Sequence, residues 1–238
     1  MKILALSALI GLTLASQAHA APQTLDLTTG IAGGDALALS ETSLFMTTAL
    51  DDTDDDGMNF NFSGLAPLFA GGDLEAVAGH PAGEYDISRF DGSASTATEG
   101  SVYVLKNVSV AAGDTLSFDW TFYTNEPETG ALADAAYFSV LNSTTALLAN
   151  AADGLTGDAG LSGFRAATGG VYTYTFLSSN VVDLVFAVVD TDDYTVSSAL
   201  AVNNLTITPV PEPRDWMLML AGLGLVGMMV QRSKRRLM

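Results

Sequence analysis

The sequence predicts an all-β protein whose main part is a single β-sandwich (jelly-roll-like) domain over residues 21–209. Two observations predict this fold. Short segments alternate between apolar and polar residues with a period of two, and Gly, Asp and Asn separate these segments as turn residues. The stretch before Pro209 has no internal repeat and no long linker, so we expect one domain of ordinary size between two terminal segments.

The predicted strands follow one another along the domain, beginning with an opening strand within residues 21–31. Phe118, Trp120 and Phe122 share one face of a later strand, which favours a core position for Trp120 over a sugar-stacking surface. The strand segments after residue 100 are 102–110, 116–122, 171–176, 181–189 and 199–207. Among them 181–189 is almost continuously apolar, as expected for a central strand. Two Ala-rich stretches are predicted as short helices: 131–136 and 144–153.

The first twenty residues have the three parts of a signal peptide for export. Lys2 gives a positive start, residues 3–15 are apolar, and Ala18 and Ala20 supply the small residues of a cleavage site. We therefore expect cleavage after Ala20 and export of the rest of the chain. A buried N-terminal helix is the alternative interpretation.

The composition excludes several classes of function. The chain has no cysteine, which rules out disulfides, thiolate metal sites and cysteine nucleophiles. His80, in a Gly/Pro loop, is the only histidine after residue 20, so a site built from several histidines is excluded and a surface position is expected. Between residues 21 and 209, three basic side chains stand against 25 acidic ones, a formal charge of −22. We predict no nucleic-acid binding and no enzyme activity.

An acidic loop is predicted at residues 51–57. Asp52, Asp54 and Asp56 occupy alternate positions before a glycine, which is how a calcium loop of the D-x-D-x-D-G type begins. An EF-hand would need a bidentate Glu at the twelfth position, where this chain has Ser63, so an EF-hand is excluded. Two interpretations stay open: a looser calcium-binding loop and a solvated acidic loop.

A resemblance to a known group is carried by the segment "GDTLSFDWTFYTNE" and by two later segments, "VVD" and "SALAVNN". The matching residues are Gly100 to Val102, Ala112 to Trp120, Thr124 to Glu126, Val188 to Asp190 and Ser198 to Asn204. They resemble a group of secreted bacterial β-sandwich domains described as anchor-associated or sorting-signal proteins. Ser197 and Asn203 depart from the group's pattern, which often has Asp at these positions.

This resemblance implies a β-sandwich and no established catalytic activity. It also implies four candidate ligands for one cation, which would be calcium: Asn125, Glu126, Asp134 and Asp190. Hydrogen bonds that pin the loops at one end of the sandwich are the alternative role of these side chains.

Residues 210–238 consist of three parts. Pro211, Glu212 and Pro213 come first, and the prolines keep the backbone extended because they fix φ and lack a donor. Trp216 to Val230 carries no charge, and as a helix it would be about 22 Å long, against roughly 30 Å for a hydrocarbon core. A basic tail follows: Arg232, Lys234, Arg235 and Arg236. We predict a transmembrane helix over 216–230 with a cytoplasmic C-terminus.

This order resembles the PEP-CTERM sorting signal of Gram-negative bacteria, with Pro211-Glu212-Pro213 as its signature. The resemblance implies an exosortase-type processing enzyme as a partner and a transient stay in the inner membrane. It also implies an association with exopolysaccharide and biofilm. A plain C-terminal membrane anchor is the alternative.

We therefore expect a non-enzymatic exported protein that passes through the inner membrane to the cell surface or the extracellular matrix. A calcium-dependent carbohydrate- or matrix-binding module is the second hypothesis, and it rests on the acidic loop and the sandwich class. An extracellular hydrolase is the third, and the shortage of histidines disfavours it.

Overall fold

The computed structural model describes residues 21–50, 60–128, 132–153, 155, 157–210 and 213–235. Within it, Thr24–Ile207 form one compact unit. Several predicted features lie outside the described residues: the signal peptide with Ala18 and Ala20, the acidic-loop residues Asp52, Asp54 and Asp56, and the tail residues Pro211, Glu212 and Arg236.

The described part of the chain consists mostly of β-strands. These are β1 (Gln23–Thr24), β2 (Ile31–Gly33), β3 (Ala36–Ser40), β4 (Ser43–Thr47), β5 (Leu68–Phe69), β6 (Ala97–Val110), β7 (Thr115–Thr124), β8 (Ala135–Val140), β9 (Thr144–Asn150), β10 (Ala166–Thr175), β11 (Asn180–Thr191) and β12 (Ser198–Thr208). Three helices accompany them: α1 (Asp73–Ala78), α2 (Ser88–Asp91) and α3 (Pro213–Arg235).

The strands form two antiparallel sheets that face each other. One sheet has the order β10–β7–β12–β4–β3, and the other has the order β2–β6–β11–β8–β9, with β5 also paired to β6. Apolar side chains from both sheets form one inner core. At its centre Phe118 packs against Phe138 and Phe186, with ring centroids 4.9 and 5.1 Å apart. The predicted all-β sandwich is confirmed.

Strand β11 is apolar along most of its length because both of its faces are covered. Phe186 and Val188 face the inner core, whereas Val185 and Ala187 pack under the segment that contains α1 and α2. The prediction of a central strand here is confirmed. Trp120 is partly buried and packs against the inner core, on the same side as Phe118.

Some local predictions are wrong. Thr144–Asn150 is strand β9 rather than a helix, because it pairs along its length with β8, and this pairing outweighs the weak local preference of alanine. The other Ala-rich stretch, 131–136, runs into strand β8, which begins at Ala135. The opening strand is limited to Gln23–Thr24, since a 3₁₀ turn forms at Leu27–Thr29, where the Asp26 side chain accepts from Thr28 N at 2.8 Å.

Helix α1 was missed although its sequence carries the signals of both helix ends. Asp73 and Glu75 lie in its first turn, where acidic side chains are favourable. The helix ends at Gly79, whose φ of 80° is the left-handed conformation that glycine adopts at helix C-termini. Leu74 and Ala78 of α1 then pack on the outer face of β11 and its neighbours.

The C-terminal helix α3 belongs to a second unit of the chain. It begins at Pro213 and includes the predicted helical run 216–230. Arg232 is exposed, and Lys234 and Arg235 lie in the last turn. Across the ranges that the structure describes, no helix has both the length and the apolarity needed to cross a membrane.

Candidate functional site

One end of the sandwich carries three acidic residues side by side on the inner face of one sheet. Glu99 on β6 and Asp190 on β11 are directly opposite each other. Asp134 lies beside Asp190 just before β8, because the next residue, Ala135, pairs with Val189. Side chains opposite each other in an antiparallel pair share a face. We call Glu99, Asp134 and Asp190 the carboxylate row; each is at most 3% exposed.

Three hydroxyl side chains of the other sheet face the carboxylate row. Ser198 begins β12, Thr124 ends β7, and Thr48 follows β4. Ser198 Oγ lies 2.8 Å from Asp134 Oδ2 and 2.9 Å from Thr124 Oγ1, and Ser198 N donates to Thr48 Oγ1 at 3.0 Å. The inner core therefore ends in a polar layer, with carboxylates from one sheet and hydroxyls from the other in direct contact.

Asp134 and Asp190 differ in their hydrogen-bond partners. Ser198 Oγ and Thr191 N donate to the two oxygens of Asp134, at 2.8 and 3.2 Å. Both oxygens of Asp190 are buried, and this side chain lies within hydrogen-bond reach of the Asp134 carboxyl and the Thr48 hydroxyl. The Thr48 hydroxyl also lies 3.4 Å from Ser198 O. Asp134 and Asp190 are thus two buried acids in contact, and one proton shared between them would satisfy the pair.

Burial and mutual repulsion both disfavour ionisation of this pair. The pKa of Asp134 is raised to about 8, chiefly by burial; the Ser198 hydroxyl opposes this shift, and the Glu126 carboxylate adds to it. Burial also raises the pKa of Asp190 well above its usual range, and the neighbouring Asp134 and Glu99 add to that shift. Two carboxylates this close cannot both be ionised in a buried site without a counter-charge.

The structure brings together three of the four cation ligands that the resemblance implies. Glu126 follows β7, is 2% exposed, and accepts from Leu132 N at 2.8 Å. Its charge contributes to the raised pKa of Asp134, so these two residues and Asp190 lie at the same end of the sandwich. Asn125 Oδ1 accepts from Arg165 N at 2.8 Å, which joins the residue after β7 to the residue before β10.

Glu99 is the member of the site that sequence reasoning missed. Only the pairing of β6 with β11 brings Glu99 beside Asp190, and this pairing cannot be read from the sequence. Searching the described ranges finds no three His, Asp or Glu side chains already arranged to hold a metal ion. The predicted acidic loop lies outside those ranges.

A second polar region lies at the opposite end of the sandwich, beside the turn between β8 and β9. A cavity of about 320 Å³ is bounded there by His80, Glu84, Arg89, Asn142 and Thr144, among others. A second cavity of about 500 Å³ lies beside it along β10 and β11, and Asn142 lines both cavities. Both cavities are open to solvent and are lined largely by polar groups.

His80 is more buried than a loop histidine is expected to be. Its ring packs edge-on against Tyr85, with centroids 5.6 Å apart, and its Nε2 is shielded and has no hydrogen-bond partner in the described part of the chain. Burial lowers the pKa of His80; the Glu84 carboxylate opposes this shift, and the Arg89 guanidinium adds to it.

Glu84 organises the wall of the same cavity. The Arg89 guanidinium forms an ion pair with it, and Thr145 Oγ1 donates to it at 2.6 Å. Burial opposes ionisation of Glu84, but the Thr145 hydroxyl and Arg89 outweigh burial and lower the pKa of this carboxyl. The cavity wall thus contains both hydrogen-bond donors and hydrogen-bond acceptors in fixed positions, and polyhydroxylated ligands need both.

No protein-family model and no curated protein matches the chain. Among solved structures it is similar to the N-terminal cellulose-binding domain of Cellulomonas fimi beta-1,4-glucanase C, at 9% identity and a TM-score of 0.34, over 80% of this chain and 95% of that one. It is also similar to the xylan-binding module CBM15, at 12% identity and a TM-score of 0.30, over 77% and 99%. The module TmCBM61, solved with beta-1,4-galactotriose, matches at 7% identity and a TM-score of 0.34, over 78% and 91%.

Proposed function

We propose that this protein is a non-enzymatic exported β-sandwich that is sorted to the cell envelope through its C-terminal segment. One observation carries the proposal: along α3, large apolar side chains are 45–71% exposed. They are Leu220, Leu223, Leu225, Val226, Met228 and Met229. A helix that is apolar around its circumference needs an apolar environment, which the inner membrane supplies during sorting.

The proposed mechanism assigns a step to each part of the segment. The signature Pro211-Glu212-Pro213 stays extended and accessible to an exosortase-type enzyme. Pro213 is the first residue of α3, a position where proline is favourable because that N–H has no helical partner. The apolar run then rests in the inner membrane while Arg232 and the following cations stay cytoplasmic. Cleavage releases the sandwich to the cell surface or the extracellular matrix, where it associates with exopolysaccharide.

The intact mass of the protein purified from its native host tests this proposal. We expect the residues from Arg232 to Met238 to be absent from the mature form. Glu212→Ala should cause the uncleaved chain to accumulate in the inner membrane, because the signature is broken. Pro209→Ala, a change just before the signature, is the matched control and should be processed normally. An intact C-terminus in the mature wild-type protein contradicts the proposal.

Carbohydrate or matrix binding is a second candidate function, and the cavity beside the β8–β9 turn favours it. Glu84 and Arg89 line the first cavity, and Asn142 and Ser143 line both cavities. A sugar hydroxyl can donate to or accept from such groups. In this proposal the exported sandwich holds the matrix polysaccharide through this end, with or without calcium.

Glycan-array binding of the purified protein, in calcium and in chelator, tests the second candidate. Asn142→Gly should abolish the signal, and it should keep the fold because Asn142 has a φ of 60° that glycine adopts readily. Asn204→Gly is the matched control, since Asn204 has a φ of 56° on the outer face of the other sheet. Absence of binding by the wild-type protein in both conditions removes this candidate.

A further inference from the structure

The edge strand β10 has a backbone that is paired on one side only. It is the outermost strand of its sheet, and it pairs with β7 in an unbroken antiparallel register. On its other side only the beginning is covered, where Ala167 N donates to Gly157 O at 3.3 Å. Beyond Ala167, no residue that the structure describes pairs with this outer side of β10.

The unpaired backbone groups belong to alternate residues of β10. In an antiparallel strand, the N–H and C=O of one residue point to the same side, and the side alternates along the chain. Ala167 bonds outward, whereas Phe176 bonds to Gly113 and Asp114 on the side of β7. Four exposed residues therefore direct their N–H and C=O groups away from the sheet: Gly169, Val171, Thr173 and Thr175.

Strand β10 also lacks the features that protect most edge strands. Natural edges are short, carry a charge or a proline, or are bent by a bulge. The ten residues of β10 include no charged residue and no proline, and their register with β7 has no shift. Elsewhere on the sheet edges that the structure describes, β2 has three residues, and β3 and β9, with five and seven, are each interrupted by a register shift. An edge as long and regular as that of β10 is suited to pairing with another strand.

The charge distribution favours a second copy of this chain as the partner of β10. Residues 166–182 carry no charge, although the formal charge of residues 21–209 is −22. The neighbouring strand β7 has one acidic side chain, Asp119, which lies opposite Val171 and accepts from Asn204 Nδ2 at 2.7 Å. In a pair of β10 strands the two Asp119 residues are three strand spacings apart, at least about 14 Å, against a Debye length of about 8 Å. Two copies therefore meet at this edge with little of the repulsion that their acidic surfaces cause elsewhere.

We propose that two copies of this chain form a dimer through antiparallel pairing of their β10 strands about a two-fold axis. Val171, 65% exposed, lies near the middle of the unpaired stretch, where its β-branched side chain packs against β-branched residues of the second copy. Gly169 has no side chain and lets the second backbone approach closely. Leu177, 90% exposed just after β10, then lies beside the beginning of the other strand. This dimer depends on neither of the proposed functions.

The mass of the purified chain in solution tests the proposal, with detergent present to cover the apolar residues of α3. We expect light scattering to show a doubling of the protein mass between low and high micromolar concentration. Added sodium chloride should move the doubling to lower concentration, because salt screens the repulsion between acidic surfaces. Thr173→Lys should weaken the dimer by about tenfold or more, because it brings like charges together at the paired edge. Leu39→Lys, an equal change on the opposite edge strand β3, is the matched control and should leave the dimer unchanged.

Cross-linking identifies the surface through which two copies meet, since the chain has no cysteine of its own. Val171→Cys should give dimers with a short bis-maleimide, because paired strands lie about 5 Å apart. Leu39→Cys should not, and adding Thr173→Lys to Val171→Cys should abolish the cross-link. Val171→Pro is a second variant, because it removes an N–H that β7 does not use, and it should also weaken the dimer.

Two results overturn the proposal. One is a wild-type chain that stays monomeric at high micromolar concentration in both low and high salt. The other is a dimer that persists unchanged in Thr173→Lys and in Val171→Pro, or that cross-links as well at Leu39 as at Val171. That second result assigns the association to α3 or to another surface.

Discussion

Buried acidic residues in this sandwich differ in what their neighbours donate to them. Asp35 is fully buried and accepts from Thr47 Oγ1 at 2.5 Å and from Phe62 N at 3.0 Å. Glu75 accepts from three backbone amides around α1, including Gly72 N at 3.0 Å. Both side chains are satisfied and fix the loops beside them. Asp190 is equally buried, but its neighbours are the Asp134 carboxyl and the Thr48 hydroxyl instead of several backbone amides, and burial raises its pKa well above the usual range.

His80 gives a prediction about pH at the scale of one residue. Because burial lowers its pKa, the folded protein holds His80 neutral where the unfolded chain, with a histidine pKa of about 6.5, is protonated. Its contribution to stability is therefore present above that pH and is lost as the pH falls through the lower, folded value. We expect His80→Gln to weaken the fall in Tm between pH 7 and pH 5.

A comparison with wild type in the same buffers checks this prediction by calorimetry. The two Tm curves should run parallel above pH 7 and should converge as the pH falls. Asn204→Gly leaves His80 in place and should keep the wild-type pH slope. Curves of His80→Gln and wild type that stay parallel down to pH 5 would contradict a neutral, buried His80.

At the scale of the element, the sequence predicts strands well where the positions of the apolar residues match the buried faces of the strand. Strand β7 alternates because one of its faces meets the inner core, and β11 is apolar throughout because both of its faces are covered. Strand β9 was predicted as a helix because its alanines and leucines have no clear period, and only its pairing with β8 makes it a strand. An edge segment of this kind becomes a strand only because it pairs with its neighbour, and the local sequence pattern contains no information about that pairing.

Pairing also limits how much of the candidate site the sequence predicts. Asp134 and Asp190 were named from the resemblance, but their contact follows from the register of β8 with β11. Glu99 joins them through the register of β6 with β11, about ninety residues away along the chain. The cavity at His80 depends on the position of α1 and on the β8–β9 turn. Register is set by the packing of whole faces, which a single sequence does not specify.

At the scale of the whole molecule, the strand directions place different chemistry at the two ends of the sandwich. Strands β8 and β11 each run from one end to the other, so Asp134 and Asp190 lie at the end opposite to the cavity that Asn142 borders. The inner core separates these two regions and contains side chains from both sheets.

The shared core leads to a prediction for the unfolding of Thr24–Ile207. Phe118 is fully buried and contacts rings from the opposite sheet, so Phe118→Ala should leave a cavity and lower the free energy of unfolding by about 3–5 kcal/mol. Because both sheets share this core, unfolding should stay a single transition with a lower midpoint in urea. Phe69→Ala, at a side chain that is 61% exposed, is the control and should change stability by about 0.5 kcal/mol or less. Two separate transitions, one for each sheet, would contradict a common core.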